Sequence, residues 1–230
     1  MNWNRIELPD KNIYFKDDDV VIYCADCRDI LPLIPDKSID LVLTDPPYGI
    51  DYTPINKKWD GSKNDWEKIK GDDVENDFSI LFKCSENQVI FGAENFYKQL
   101  PFRGRWICWH KRSPIWPENS VQQTSDFELA WMSKTTGTYK FFRCIHGGVI
   151  NANSTEGNNQ KRLHPTEKPI GIIRKCMELF NDVKTTCDPF MGSGTTLVAA
   201  KELGRKAIGI EIEEKYCEIA AKRLAQEVLF

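Results

Sequence analysis

The sequence contains no run of about 18 apolar residues, the length a helix needs to cross a bilayer, and its first residues lack the charged-then-apolar pattern of a secretion signal. Those two absences set membrane insertion and export aside and make the cytoplasm the expected compartment. With export goes the oxidising environment in which the eight cysteines (24, 27, 84, 108, 144, 176, 187 and 217) would pair. They are scattered through apolar segments and read as reduced core thiols. Cys24-Ala25-Asp26-Cys27 has zinc-like spacing, but no second Cys or His pair stands at a matching distance, so no metal is expected. Internal repeats and low-complexity tracts are missing as well. One α/β domain spanning 1–230, long enough to bury a substantial core, is the expected organisation.

An excess of positive charge is also lacking, since the formal net charge is −3. The balance is uneven along the chain. Residues 95–168 hold eleven Lys and Arg against five Asp and Glu, a net of +6, which leaves −9 for the remainder. These cations are interleaved with Trp106, Trp109, Trp116 and Phe142, as expected of a basic, nucleic-acid-facing surface on an otherwise acidic body.

What is present centres on Thr44-Asp45-Pro46-Pro47-Tyr48-Gly49. Residues 39–43 form a short, branched apolar run that reads as a buried strand. The two prolines end it, because neither can donate a ladder hydrogen bond. A carboxylate, two rigid backbone units and an aromatic ring are thus left at a strand's carboxyl end, where open α/β sheets bind ligands. Such a group suits an exocyclic amine on a nucleobase. Asp45 and the Pro46 carbonyl can accept the two amino hydrogens and draw the nitrogen toward a tetrahedral form, while Tyr48 offers a π-face for a flipped base. Read by itself, the motif is equally a strand followed by a Pro-Pro turn.

A second stretch, residues 185–196, reads as strand, glycine turn and helix start: Thr-Thr-Cys-Asp188-Pro-Phe190-Met-Gly192-Ser193-Gly194-Thr195-Thr. Gly192 and Gly194 permit close approach of a ligand to the backbone. The next strand, 206–211, ends in Glu211, 17 residues beyond Gly194 and near the roughly 20 expected of a ribose-binding acid. Position 197 is Leu, so the G-x-G-x-x-G fingerprint is incomplete, which argues against a dinucleotide.

Together these residues resemble the S-adenosylmethionine-dependent amino-methyltransferases of DNA, in the group with permuted motif order, where Asp-Pro-Pro-Tyr precedes the cofactor motif. A third motif of that family, His164-Pro165-Thr166-Glu167-Lys168-Pro169, lies between them in the expected place. The resemblance implies a Rossmann-like α/β fold with a mostly parallel, seven-stranded sheet and helices on both faces. It implies a catalytic Asp45, Pro46, Pro47 and Tyr48. It implies cofactor contacts from Asp26, Asp45, His164, Thr166, Lys168, Asp188, Phe190, Gly192, Ser193, Gly194, Thr195 and Glu211, with Lys168 pairing with the cofactor's carboxylate. Asp26 also reads as an N-cap for the residues after it. Asp126, Glu128 and Trp131 resemble a family element near the target-base pocket, though for Trp131 sheet packing is the better reading. The expected partner is double-stranded DNA, in a restriction–modification setting, with a homodimer left open.

An acid at 45 rather than Ser tilts the expected product from N4-methylcytosine to N6-methyladenine, and no Pro-Cys nucleophile of the cytosine-C5 type is present. An RNA or protein methyltransferase and an inactive binding module are the other classes. Two stretches read as functional loops. Residues 51–77, with alternating Lys and Trp, suit a mobile lid; the polar residues 147–163 suit DNA recognition. Residues 1–19 read as a loosely held lead-in, 170–181 as a helix, and 214–229 as a final helix on the sheet.

Overall fold

The computed structural model describes residues 9–51, 68, 70–73, 77–101, 103–111, 125–134, 137–144, 146, 147, 150, 151 and 167–225. In chain order the elements are β1 (Ile13–Lys16), β2 (Val20–Cys24), α1 (Cys27–Ile30), β3 (Ile39–Thr44), α2 (Ser79–Cys84), β4 (Ser85–Phe91), β5 (Arg105–His110), β6 (Phe127–Met132), β7 (Lys140–Arg143), β8 (His146–Gly147), β9 (Ile150–Asn151), α3 (Ile170–Glu178), β10 (Thr185–Asp188), α4 (Thr195–Glu202), β11 (Lys206–Glu211) and α5 (Glu214–Ala225). Short 3₁₀ turns follow α1 at Leu31–Leu33 and β4 at Ala93–Gln99.

The main sheet has nine strands, not seven, in the order β1-β2-β11-β10-β3-β4-β6-β5-β7. Its centre, β2-β11-β10-β3-β4, is parallel throughout; β1 and β6 run antiparallel to it, and β5 and β7, beyond β6, run in its direction again. Part of the difference in count is β1. The expected lead-in contributes an antiparallel edge strand, and the Pro9 carbonyl ahead of it accepts from the Tyr23 hydroxyl at 2.9 Å. β8 and β9 pair separately as a small ribbon.

The central strands are apolar without alternation because both their faces are covered. Val20 and Ile22 point with Leu41, Leu43, Val89 and Phe91 into one core, closed by Ile172, Ile173 and Cys176 of α3, Leu197 of α4 and Cys217 and Leu224 of α5. Val21, Tyr23, Val42, Ile90, Ile208 and Ile210 point into the other, against Ile30, Leu31, Leu81 and Phe96. The helix expected over 170–181 ends at Glu178, where Leu179 and Phe180 close the last turn through their backbone N–H groups. The final helix is described as far as Ala225. Among the described residues no helix is long and apolar enough to cross a membrane.

This topology fixes where a site can form. The chain leaves β3 toward β4 on one side, whereas β10 and β11 lie on the other. The connections diverge at the carboxyl ends of β3 and β10, and in an open parallel sheet that divergence opens a crevice.

Candidate active site

Asp45 follows β3 at the crevice, and Asp188 ends β10 beside it. Thr44 joins the two strand ends, its hydroxyl donating to Asp188 Oδ1 at 2.7 Å. The Asp-Pro-Pro-Tyr turn is held from below by Asp72, which is buried and accepts from the backbone N–H groups of Tyr48 (2.7 Å) and Gly49 (3.0 Å). Tyr48 curls back so that its hydroxyl donates to Asp45 Oδ1 at 2.5 Å. Burial, then the neighbouring Asp45 carboxylate, pushes the phenol well above its ordinary range, so it stays protonated and donating. The ring can lie there because residue 92 is Gly: a Cβ at that position would fall 2.0 Å from Tyr48 Cε1, and φ is +64°.

The second oxygen of Asp45 accepts from the Lys168 ammonium, the two side chains being 18% and 10% exposed. Lys168, expected at the cofactor's carboxylate, here pairs with Asp45. It also lies 3.4 Å from Glu128 Oε2 on β6, and Glu128 Oε1 accepts from Lys111 at 2.6 Å. Burial alone would lower the Lys168 pKa; the Asp45 and Glu128 carboxylates outweigh it and hold the ammonium above the usual lysine range. Burial would raise Glu128, but Lys168 and Lys111 reverse this and hold it at about 2. Four charges of alternating sign therefore run Asp45, Lys168, Glu128, Lys111.

The glycine turn is built differently. Gly192 and Gly194 adopt positive φ, +50° and +80°. A Cβ on Gly194 would meet Ala220 of α5 at 2.7 Å, and one on Gly209 would meet Met191 Sδ at 2.4 Å, so the turn is pressed against β11 and α5. Glu211, at the end of β11, accepts from the backbone N–H groups of Gly192 (3.1 Å) and Glu213 (2.8 Å). Burial outweighs these bonds and pushes its carboxyl up to about 7. Asp188 is raised to about 6, again by burial first, with the Thr196 and Thr44 hydroxyls and the Phe190 N–H opposing. A phosphate needs the turn's N–H groups free and no anion nearby. Here a carboxylate already holds one, so the crevice fits an uncharged or cationic nucleoside whose hydroxyls can donate to Glu211.

The turn is tied to the His-Pro-Thr-Glu-Lys-Pro segment. Arg223 of α5 donates to the Ser193 carbonyl (2.7 Å) and pairs with Glu167 (3.2 Å), and the Thr195 hydroxyl donates to the same Glu167 oxygen at 3.4 Å. Glu167 thus reaches the glycine turn while its neighbour Lys168 reaches Asp45.

Among the other expected site residues, Phe190 lies half-buried, edge-on to Phe78. Asp26 accepts from its own helix, the Arg28 backbone N–H (2.9 Å) and guanidinium, and its backbone neighbour Ala25 donates to the Glu211 carbonyl. His164 and Thr166 lie outside the described residues, as do most of 51–77 and 147–163. Among the described residues no group of three or more His, Cys, Asp or Glu could hold a metal. Trp131 is buried against Phe82 and Gly104, as sheet packing requires. Lys111 and Asp72 were not among the expected site residues. Lys111 enters because Trp109 stands opposite Glu128 in the antiparallel register, which sets residue 111 diagonally across from it.

A family model described as DNA methylase matches residues 148–222. The type II methyltransferase M.HinfI of Haemophilus influenzae is 30% identical over 247 aligned positions, covering 88% of this chain and 67% of that protein. The chain belongs to the DNA methylase family. Solved structures agree on the fold of this methyltransferase. The PvuII DNA methyltransferase (cytosine-N4-specific) superposes with a TM-score of 0.65 at 16% identity, covering 96% of this chain and 92% of its own. TTHA0409 of Thermus thermophilus, complexed with S-adenosyl-L-methionine, superposes at 0.56 and 22% identity, covering 90% and 94%.

Proposed function

We propose that this methyltransferase moves a methyl group from S-adenosylmethionine to the N6 amino group of an adenine flipped out of double-stranded DNA at a specific site. The observation that carries the proposal is the Asp45 carboxylate, presented beside the rigid Pro46 carbonyl and one hydroxyl link away from the glycine turn. When bound, the cofactor supplies a methyl group on a positively charged sulfur, an electrophile that needs no covalent enzyme intermediate. The turn's acceptors suit that ligand: Glu211 for ribose hydroxyls, Asp26 beside it for the adenine amino group, and Asp188 beneath. His164 and Thr166 complete the set.

Asp45 and the Pro46 carbonyl accept the two amino hydrogens of the target base. Rehybridisation of the nitrogen exposes its lone pair in line with the methyl, and the proton leaves late, to water or to Asp45. Tyr48 stacks on the flipped ring and steadies Asp45 through its hydroxyl. Residues 51–77 serve as a lid and 147–163 read the DNA, with the cytoplasm as the site of action and a homodimer as the assembly. An acid at position 45 favours adenine over cytosine. The likeness to the PvuII enzyme, at 16% identity, is one of fold.

The test is incubation with mixed-sequence duplex DNA and S-adenosylmethionine, followed by mass spectrometry of the nucleosides, with Asp45→Ala in parallel. N6-methyladenine that vanishes in the variant is the expected result. N4-methylcytosine as sole product sinks the adenine assignment, and methylation of RNA or protein alone removes DNA as the substrate.

A further inference from the structure

One oxygen of Glu128 is hydrogen-bonded and the other is ion-paired without a hydrogen bond. Oε1 accepts from Lys111, whereas the buried Oε2 accepts no hydrogen bond among the described residues and lies 3.4 Å from the Lys168 ammonium. Lys168 itself is hydrogen-bonded to Asp45 Oδ2, and Tyr48 occupies Oδ1. Both Asp45 oxygens are therefore engaged in the absence of a target base, and a donated amino hydrogen requires one of the two donors to give way. Tyr48 is wedged over Gly92 and pinned at its backbone by Asp72. Lys168 sits on a flexible four-carbon stem. A movement of about 0.5 Å toward Glu128 converts its 3.4 Å separation into an ordinary hydrogen bond.

Resting on the methyl-transfer reading above, we propose that Glu128 is a positioning residue: a second carboxylate onto which Lys168 moves when the target amine takes its place on Asp45, with Lys111 fixing Glu128 in register. The movement exchanges one carboxylate for another around the same ammonium, so it transfers no proton and leaves the net charge of the four side chains at zero. Without Glu128, Lys168 has a single anion to hold and competes with the substrate for it. A purely structural Glu128, present only to neutralise Lys168, would affect folding stability and leave the chemical step alone.

The measurement is the single-turnover methylation rate on mixed-sequence duplex DNA at saturating S-adenosylmethionine, with cofactor affinity measured alongside. Glu128→Gln is expected to slow the step about tenfold to a hundredfold, as sub-ångström misplacement of a reacting group does, with cofactor Kd changed by less than about threefold. Glu128→Asp, which keeps the charge, should recover most of the loss. In a Lys168→Met background Glu128→Gln should make no further difference. A Glu128→Gln rate within threefold of wild type overturns the proposal, as does a Glu128→Asp variant no faster than Gln. So does a double variant in which the two losses multiply. Wild-type protein that transfers no methyl to DNA removes the methyl-transfer reading itself, an outcome distinct from active wild type with an indifferent Glu128.

Discussion

The two halves of the crevice stabilise their carboxylates by opposite means. On the β3 side, Asp45 and Glu128 are matched by the full charges of Lys168 and Lys111, and Glu128 is held at about 2. On the β10–β11 side, Asp188 and Glu211 are met, among the described residues, by hydroxyls and backbone N–H groups and are raised to about 6 and about 7. Under the proposed methyl transfer, an acceptor for the amine's hydrogens gains from neighbours that are already neutralised. Under the same proposal, a site for a cationic sulfur and a ribose gains from acidity left for the ligand to satisfy. The paired side should therefore govern the chemical step and the unpaired side cofactor affinity.

The sharpest way to break that division is at Asp45. Asp45→Ala should cut kcat about a thousandfold, the upper range for losing one preorganised group, while cofactor Kd stays within about threefold. A comparable loss of cofactor binding would merge the two halves. Glu211→Ala should do the reverse, weakening cofactor binding about 10- to 100-fold, as expected for hydrogen bonds to a charged acceptor, with kcat near wild type at saturation. Calorimetric titration beside steady-state kinetics separates the two.

A paired set of glycine substitutions asks the same question through packing. Gly92→Ala drives a methyl into the Tyr48 ring and should lower kcat. Gly209→Ala drives one into Met191 and Leu197 under the glycine turn and should raise cofactor KM. Each should also cost about 1–3 kcal/mol of stability, the usual range for overpacking, which a melting curve reads.

The smallest effect is on pH. Asp188 and Glu211 have folded values of about 6 and about 7 against ordinary values of 3.8 and 4.5, so between those limits the folded chain binds more protons than the unfolded one. Their contribution to stability therefore grows as pH falls. Glu128 works the other way, but only below its ordinary value of 4.5. Without cofactor, Tm should rise from pH 7.5 to 5.5. Cofactor affinity should fall over the same interval, because the acceptors become protonated. A melting temperature flat across this range would remove the contrast between the two sides.

Much of this was legible beforehand where local sequence decides structure. Residues 206–211 form a strand with the expected bounds, and Asp45, Tyr48, Gly192 and Glu211 fall at the strand ends and turn where their motifs put them. Long-range register was not legible. Nothing near Lys111 announces Glu128, since their meeting depends on β5 and β6 pairing antiparallel. Asp72 beneath the Asp-Pro-Pro-Tyr turn belongs to a stretch without periodic signal. β1 escaped notice because an edge strand of four residues, half of them exposed, lacks the apolar run that marks its neighbours. Lys168 was expected at the cofactor from its motif alone, and its direction is set by a fold that brings β6 beside it.

Glu167 and Lys168 are consecutive, yet one engages the glycine turn and the other Asp45. A single peptide unit, about 3.8 Å between α-carbons, thereby sets the spacing between the two, and under the proposed methyl transfer it is a ruler between donor and acceptor. Lengthening the chain by one residue here would misalign the two ends while leaving every pocket wall intact. Attempts to make the protein deliver alkyl groups larger than methyl should therefore begin by varying this spacing before widening the cavity.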